Sequence, residues 1–95
     1  MNEFTDFDVA EHLRTPEAMA EYLEACFEED AGDGVLIRSA LNNIARAQGM
    51  THVARDAGLG RESLYKALSS SGNPEFATIM KVMKALGLKL HATVI

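Results

Sequence analysis

Arg61, Glu62, Ser63, Tyr65 and Lys66 crowd into six consecutive positions of the 95-residue chain. Their types suit hydrogen bonding to a nucleic acid. An arginine near the N-terminal end of a helix reaches guanine O6 and N7 in the major groove. Glu62 can accept from cytosine N4 or buttress Arg61, and Tyr65 can touch a phosphate or a thymine methyl. Lys66 suits phosphate, and Ser63 bonds locally or to phosphate. Thr51 and His52 lie earlier, where side chains and helix-end N–H groups meet backbone phosphate.

Other chemistries find less support. Ser63 and His52 would need an orienting acid and an oxyanion site to form a nucleophilic triad, and nothing marks either. His12, His52 and His91 are far apart, without metal-ligand spacing. A single cysteine, Cys26, excludes an internal disulfide framework and a cysteine-based zinc cluster. No catalytic residue, metal or cofactor is assigned, and the chain is not expected to be an enzyme.

The polar cluster works as a unit only if one helix presents it, and residues 50–69 carry the pattern for that. A helix-turn-helix needs a small residue where its second helix crosses the first, and Ala54 supplies it. The turn needs a glycine for positive φ, and Gly58 follows by four positions. Val53, Leu59, Leu64 and Leu68 supply the apolar flanks. A helical hairpin that serves only packing is the alternative.

The surrounding elements read as helices. Asp8 with Glu11 fits a capping box that opens a short turn through Leu13. Thr15 caps a helix with Pro16 at its first position. Met19, Tyr22, Leu23, Cys26 and Phe27 form its apolar stripe, with Glu17, Glu21, Glu24 and Glu28 on the other side. After the Ala31–Gly34 loop, Val35–Gln48 is a helix stopped by Gly49. Thr51 is expected to cap the next, and Asn73-Pro74-Glu75 to repeat the cap-plus-proline start. Phe76, Ile79, Met80, Met83 and Leu86 would form the last stripe, and Gly87 its end. From Leu88 to Ile95 the period changes to two, a strand pattern with Leu88, Leu90, Ala92 and Val94 on one face.

Apolar residues make up 47% and charged residues 24%, as in a folded soluble domain. No apolar run suggests a membrane span, and the acidic start Met1–Asp6 lacks the basic, then apolar, profile of a signal peptide. The expected compartment is the cytoplasm. Net charge is −5, unevenly placed. Residues 1–34 carry eleven acids against Arg14 alone, whereas residues 35–95 carry eight bases against three acids. One half suits a polyanion and the other a basic protein.

The sequence resembles small Xre-type antitoxins of the addiction-module antidote family, partners of RelE/ParE-like toxins. The likeness runs through Phe7–Leu13, Thr15–Glu17, Ala40–Met50, Gly58–Leu68 and Gly72–Thr78, and is most specific at Arg61–Leu68. Gly60 departs from the pattern, since serine is usual there. The resemblance implies an autorepressor that also neutralises a toxin encoded beside it.

Together these readings predict a mostly α fold, a five-helix repressor-like helix-turn-helix bundle with a C-terminal β-strand paired across a dimer. The single domain, 1–95, would comprise an acidic helical region (1–34), a DNA-binding core (35–87) and a dimerising strand (88–95). The expected sites are Thr51, His52, Arg61, Glu62, Ser63, Tyr65 and Lys66 for operator DNA. Glu17, Glu21, Glu24 and Glu28 are expected to meet a basic toxin, and Leu88, Leu90, Ala92 and Val94 a second copy of the chain. A phage-repressor-like regulator without a toxin, or an inhibitor module that does not bind DNA, are the alternatives.

Overall fold

The computed structural model describes residues 13–95. The turn expected from Asp8 lies outside them except for Leu13, which is fully buried. Helix α1 spans Pro16–Glu29 and starts as its residue types require. Thr15 is extended, and its Oγ1 accepts from the Ala18 N–H at 3.1 Å. Pro16 occupies the first turn, where a missing N–H leaves no orphan. Met19, Leu23 and Cys26 turn inward. Burial pushes the Cys26 thiol up from its ordinary value, as for an inert core thiol.

Helix α2 spans Val35–Gln48, and no side chain of its N-cap residue, Gly34, caps it. The acidic loop before it does that work. Asp30 accepts from the N–H groups of Gly32 at 2.8 Å, Gly34 at 3.2 Å and Leu36 at 3.2 Å. Asp33 accepts from Val35 at 3.0 Å. Two carboxylates thus sit at the positive end of α2, where the helix dipole favours them. These bonds, that of Gly32 foremost, hold the Asp30 carboxyl below the usual carboxylate range.

Helix α3 spans Met50–Ala57, α4 Arg61–Leu68 and α5 Phe76–Ala85. α1 packs on α2, α2 on α3 and α4, and α3 on α4 and α5. The middle of this stack is Leu41, Ile44, Val53, Leu64, Leu68 and Val82, each essentially without exposure. No polar or charged side chain is buried among the described residues. The core therefore rests on apolar burial, at roughly 25 cal/mol per Å².

Several local expectations need correction. Thr51 does not cap α3. Gly49 both ends α2, its N–H bonding Arg46 O at 3.2 Å, and opens α3, its carbonyl taking the Val53 N–H at 3.0 Å. Asn73 does not cap α5. Pro74 keeps the chain extended, and the helix begins two residues later behind Glu75. Phe27, Phe76 and Met80 are not in the core; Phe27 is 46% and Phe76 67% exposed. A stripe of apolar residues is buried only as widely as the neighbouring helix covers it. Val82, absent from the expected stripe, is buried instead.

The C-terminal strand is also absent: residues 88–95 form no strand, and none occurs among the described residues. A strand needs a hydrogen-bonded neighbour, and no other segment among the described residues supplies one. The tail instead leaves α5 through a Schellman closure, with Gly87 N–H on Lys84 O at 3.0 Å and Leu88 N–H on Met83 O at 2.9 Å. Leu88 and Leu90 pack against the core while Ala92 and Val94 are exposed.

Two outcomes follow from the caps. Asp30 has a depressed carboxyl, so its contribution is complete above about pH 4 and is lost as pH falls through the folded value. Asp30→Asn is expected to lower the Tm at neutral pH and to flatten its decline below about pH 4, read by melting across a pH series. Gly60, the N-cap of α4, is extended at φ −69° and lacks a side-chain acceptor. A Cβ there meets nothing closer than Ser63 Oγ at 3.8 Å. Gly60→Ser is expected to stabilise the fold by a few tenths of a kcal/mol, seen as a higher denaturation midpoint at unchanged m-value.

Candidate nucleic-acid interface

Gly58 sets the geometry of the candidate site. It adopts the left-handed conformation, φ 72° and ψ 30°. Its N–H bonds Arg55 O at 3.1 Å, and the Leu59 N–H bonds Ala54 O at 2.8 Å. This closes α3 as a Schellman motif and turns the chain into α4 within three residues. Ala54, almost fully buried, lets the two helices approach.

α4 then divides cleanly. Leu64 and Leu68 point into the core, and Arg61, Glu62, Ser63, Tyr65 and Lys66 are all exposed. The structure brings these five expected residues onto one exposed helix. Arg61 is buttressed by Tyr65 rather than by Glu62. Its Nη2 donates to the Tyr65 hydroxyl at 3.3 Å, and its guanidinium carbon lies 5.5 Å from the ring centroid. Both contacts hold the arginine along its own helix, in a cation–π arrangement.

Thr51 and His52 are exposed on α3. Arg55 Nη2 donates to His52 Nδ1 at 2.8 Å, and His52 Nε2 lies 3.2 Å from Asp56 Oδ2. Nδ1 accepts, so the neutral ring carries its proton on Nε2 and donates to Asp56. Both ring nitrogens are engaged within α3, and a phosphate contact from His52 would displace Asp56.

Three residues shape this face that were not among the expected site residues. Arg55 adds a cation beside His52. Arg38, on α2, donates through Nε to Ser69 O at 3.3 Å and through Nη2 to Ser70 O at 3.1 Å. It ties down the loop that follows α4. Gly72 closes that loop, donating to Ser69 O at 3.0 Å. A Cβ on Gly72 would fall against the carbonyl oxygens of Lys66 and Ala67, 2.9 Å from the latter. A basic residue three places from His52 was a signal for Arg55. Nothing local announces a bond that spans thirty-one positions.

The remaining expected residues lie elsewhere. Glu17, Glu21, Glu24 and Glu28 are all exposed on α1, which carries no lysine or arginine. Glu24 and Glu28 line a groove between α1 and the tail, whereas Glu17 and Glu21 do not. Among the described residues no group of three or more His, Cys, Asp or Glu side chains is placed to hold a metal ion. None of their helices is long and apolar enough to cross a membrane.

Comparison with known proteins places the chain. An uncharacterized protein of Haemophilus influenzae (strain Rd) is 58% identical over 86 residues, which cover 90% of this chain and 87% of that protein. No solved structure matches. A family model described as "Probable addiction module antidote protein" matches residues 3–94. With agreement across nearly its whole length, the chain belongs to the family of probable addiction module antidote proteins.

Proposed function

We propose that this protein is the antitoxin of a type II toxin–antitoxin pair, a cytoplasmic Xre-type regulator without enzymatic activity. It binds operator DNA as a homodimer to repress its own transcription, and it neutralises a basic RelE/ParE-like toxin by direct binding. The observation that carries the DNA reading is α4. Its buried Leu64 and Leu68 fix its rotation, and the exposed side carries Arg61, Tyr65 and Lys66 beyond a tight glycine turn. A recognition helix requires that disposition. Family membership supports a toxin partner, and the uniformly acidic α1 supports a basic one.

In this reading Arg61 contacts a base and Lys66 a phosphate. Ser63, Tyr65, Thr51 and His52 complete the contacts, and Glu62 selects against or for the neighbouring base. Dimerisation uses residues 88–95. Paired with its copy about a two-fold axis, the tail would gain the ladder that a single chain denies it. Val94, with Phe76 and Met80 on α5, would supply apolar surface now exposed. Two recognition helices would then sit about 34 Å apart, one turn of DNA.

Arg61→Ala is expected to cost about 1–3 kcal/mol of operator binding and to relax preference at one position per half-site. Lys66→Ala should weaken binding to all sequences and reduce the salt slope by about one. Footprinting and titration on the protein's own promoter read both, and unchanged operator affinity in Arg61→Ala would remove α4 from the recognition role.

Deleting residues 91–95 spares Leu88 and Leu90, so the helical fold should survive. Self-association and operator affinity should fall. A truncated chain that stayed dimeric in sedimentation would exclude the tail as the seam.

A further inference from the structure

The groove between α1 and the C-terminal tail has a volume of about 370 Å³. Its α1 wall is Ala20, Glu24, Phe27 and Glu28, one helical stripe beside the buried one, which contributes Leu23. Leu88 to Thr93 form the other wall. Phe27 is 46% exposed, the largest apolar side chain α1 leaves in water. Glu24 and Glu28 lie to one side of it, one helical turn apart, so their Cβ atoms stand about 6 Å from each other.

We propose that this groove is where the toxin docks, and that its occupant is a basic amphipathic helix of the toxin. The inference rests on the antitoxin reading above and locates its contact. The helix would set an apolar side chain against Phe27 and two Lys or Arg residues, three or four apart, against Glu24 and Glu28. Charge decides the occupant. The acids on α1 have no lysine or arginine on their own helix, and they repel phosphate. Lys89 and His91 lie on the tail wall, so the negative rim is one-sided and orients the incoming cations toward α1. A second copy offering its own α1 would bring carboxylates against carboxylates. A small molecule would need buried polar groups to orient it, and the described residues bury none. α1 rests on α2 while α4 rests on α2 and α3, so the groove and the recognition helix belong to different elements.

The test takes the full chain and the small basic protein encoded beside it, the toxin that the antitoxin reading requires. Phe27→Ser should raise the Kd about tenfold or more, chiefly through faster dissociation. Ala20→Arg, at an exposed helical position, places a cation in the groove and should do the same without touching the core. Glu24→Gln with Glu28→Gln should slow association several-fold at low salt, with the difference fading in high salt. Glu17→Gln with Glu21→Gln, the same charge change outside the groove, should have a clearly smaller effect. All four proteins should keep wild-type affinity for DNA. A wild-type complex that ignores Phe27→Ser and Ala20→Arg would overturn the groove and leave the antitoxin reading standing. Equal losses from the two glutamate pairs, with neither groove variant affected, would do the same and reduce α1 to diffuse attraction. Exclusion of a second copy of the chain from the groove is tested by sedimentation of Ala20→Arg: loss of self-association would assign the groove to the dimer and overturn the proposal. If the wild-type protein forms no complex, the antitoxin reading and the groove fall together.

Discussion

The hydrogen bond from Leu59 N–H to Ala54 O, made possible by left-handed Gly58, governs the geometry of the whole exposed face. It fixes where α3 stops and how α4 departs. With that turn in place, Leu64 and Leu68 can enter the core only if Arg61, Tyr65 and Lys66 face out. A side chain at Gly58 would meet no neighbour, yet the backbone would still be strained, because L-residues avoid that φ. The constraint is conformational rather than steric. Gly72 is the opposite case: its φ is ordinary, and the neighbouring carbonyls leave a Cβ no room.

Much of this arrangement was legible in the sequence where the cause is local. Thr15-Pro16, the glycine after Ala54 and the alternation of Leu64 and Leu68 with polar residues act over a few positions, and each appears as read. Causes that span the chain were not legible. Phe27 and Met80 have the same spacing as buried neighbours, but among the described residues no helix covers them. Arg38 holds Ser69 and Ser70 across the fold. The pairing of Arg61 with Tyr65 over Glu62 follows from which side chain lies one turn along the helix. At the tail, alternation was a true pattern without the partner that makes a strand. What it does in one chain is bury Leu88 and Leu90 and leave Val94 in water.

The acidic first half divides into two kinds of carboxylate. Asp30 and Asp33 are structural, holding the amides that open α2. The glutamates of α1 hold no such bonds and raise the local charge; only Glu17, in the first turn, stands where the helix dipole favours a carboxylate. Glu17 with Glu21 and Glu24 with Glu28 even oppose the helix, by a few tenths of a kcal/mol for each pair. A helix that tolerates such repulsion, and is anchored by Thr15 at its start, is supported by that cap and its buried stripe rather than by its surface.

The connections between the helices are five, one, three and seven residues long. Neighbours in sequence are thus mostly neighbours in space, and contact order is low. Helical domains of that kind fold in roughly microseconds to milliseconds. Translation, at about 5–20 residues per second, is slower by orders of magnitude. The delay between the start of synthesis and display of the α1 and α4 surfaces is then set by the ribosome, not by the search for the fold.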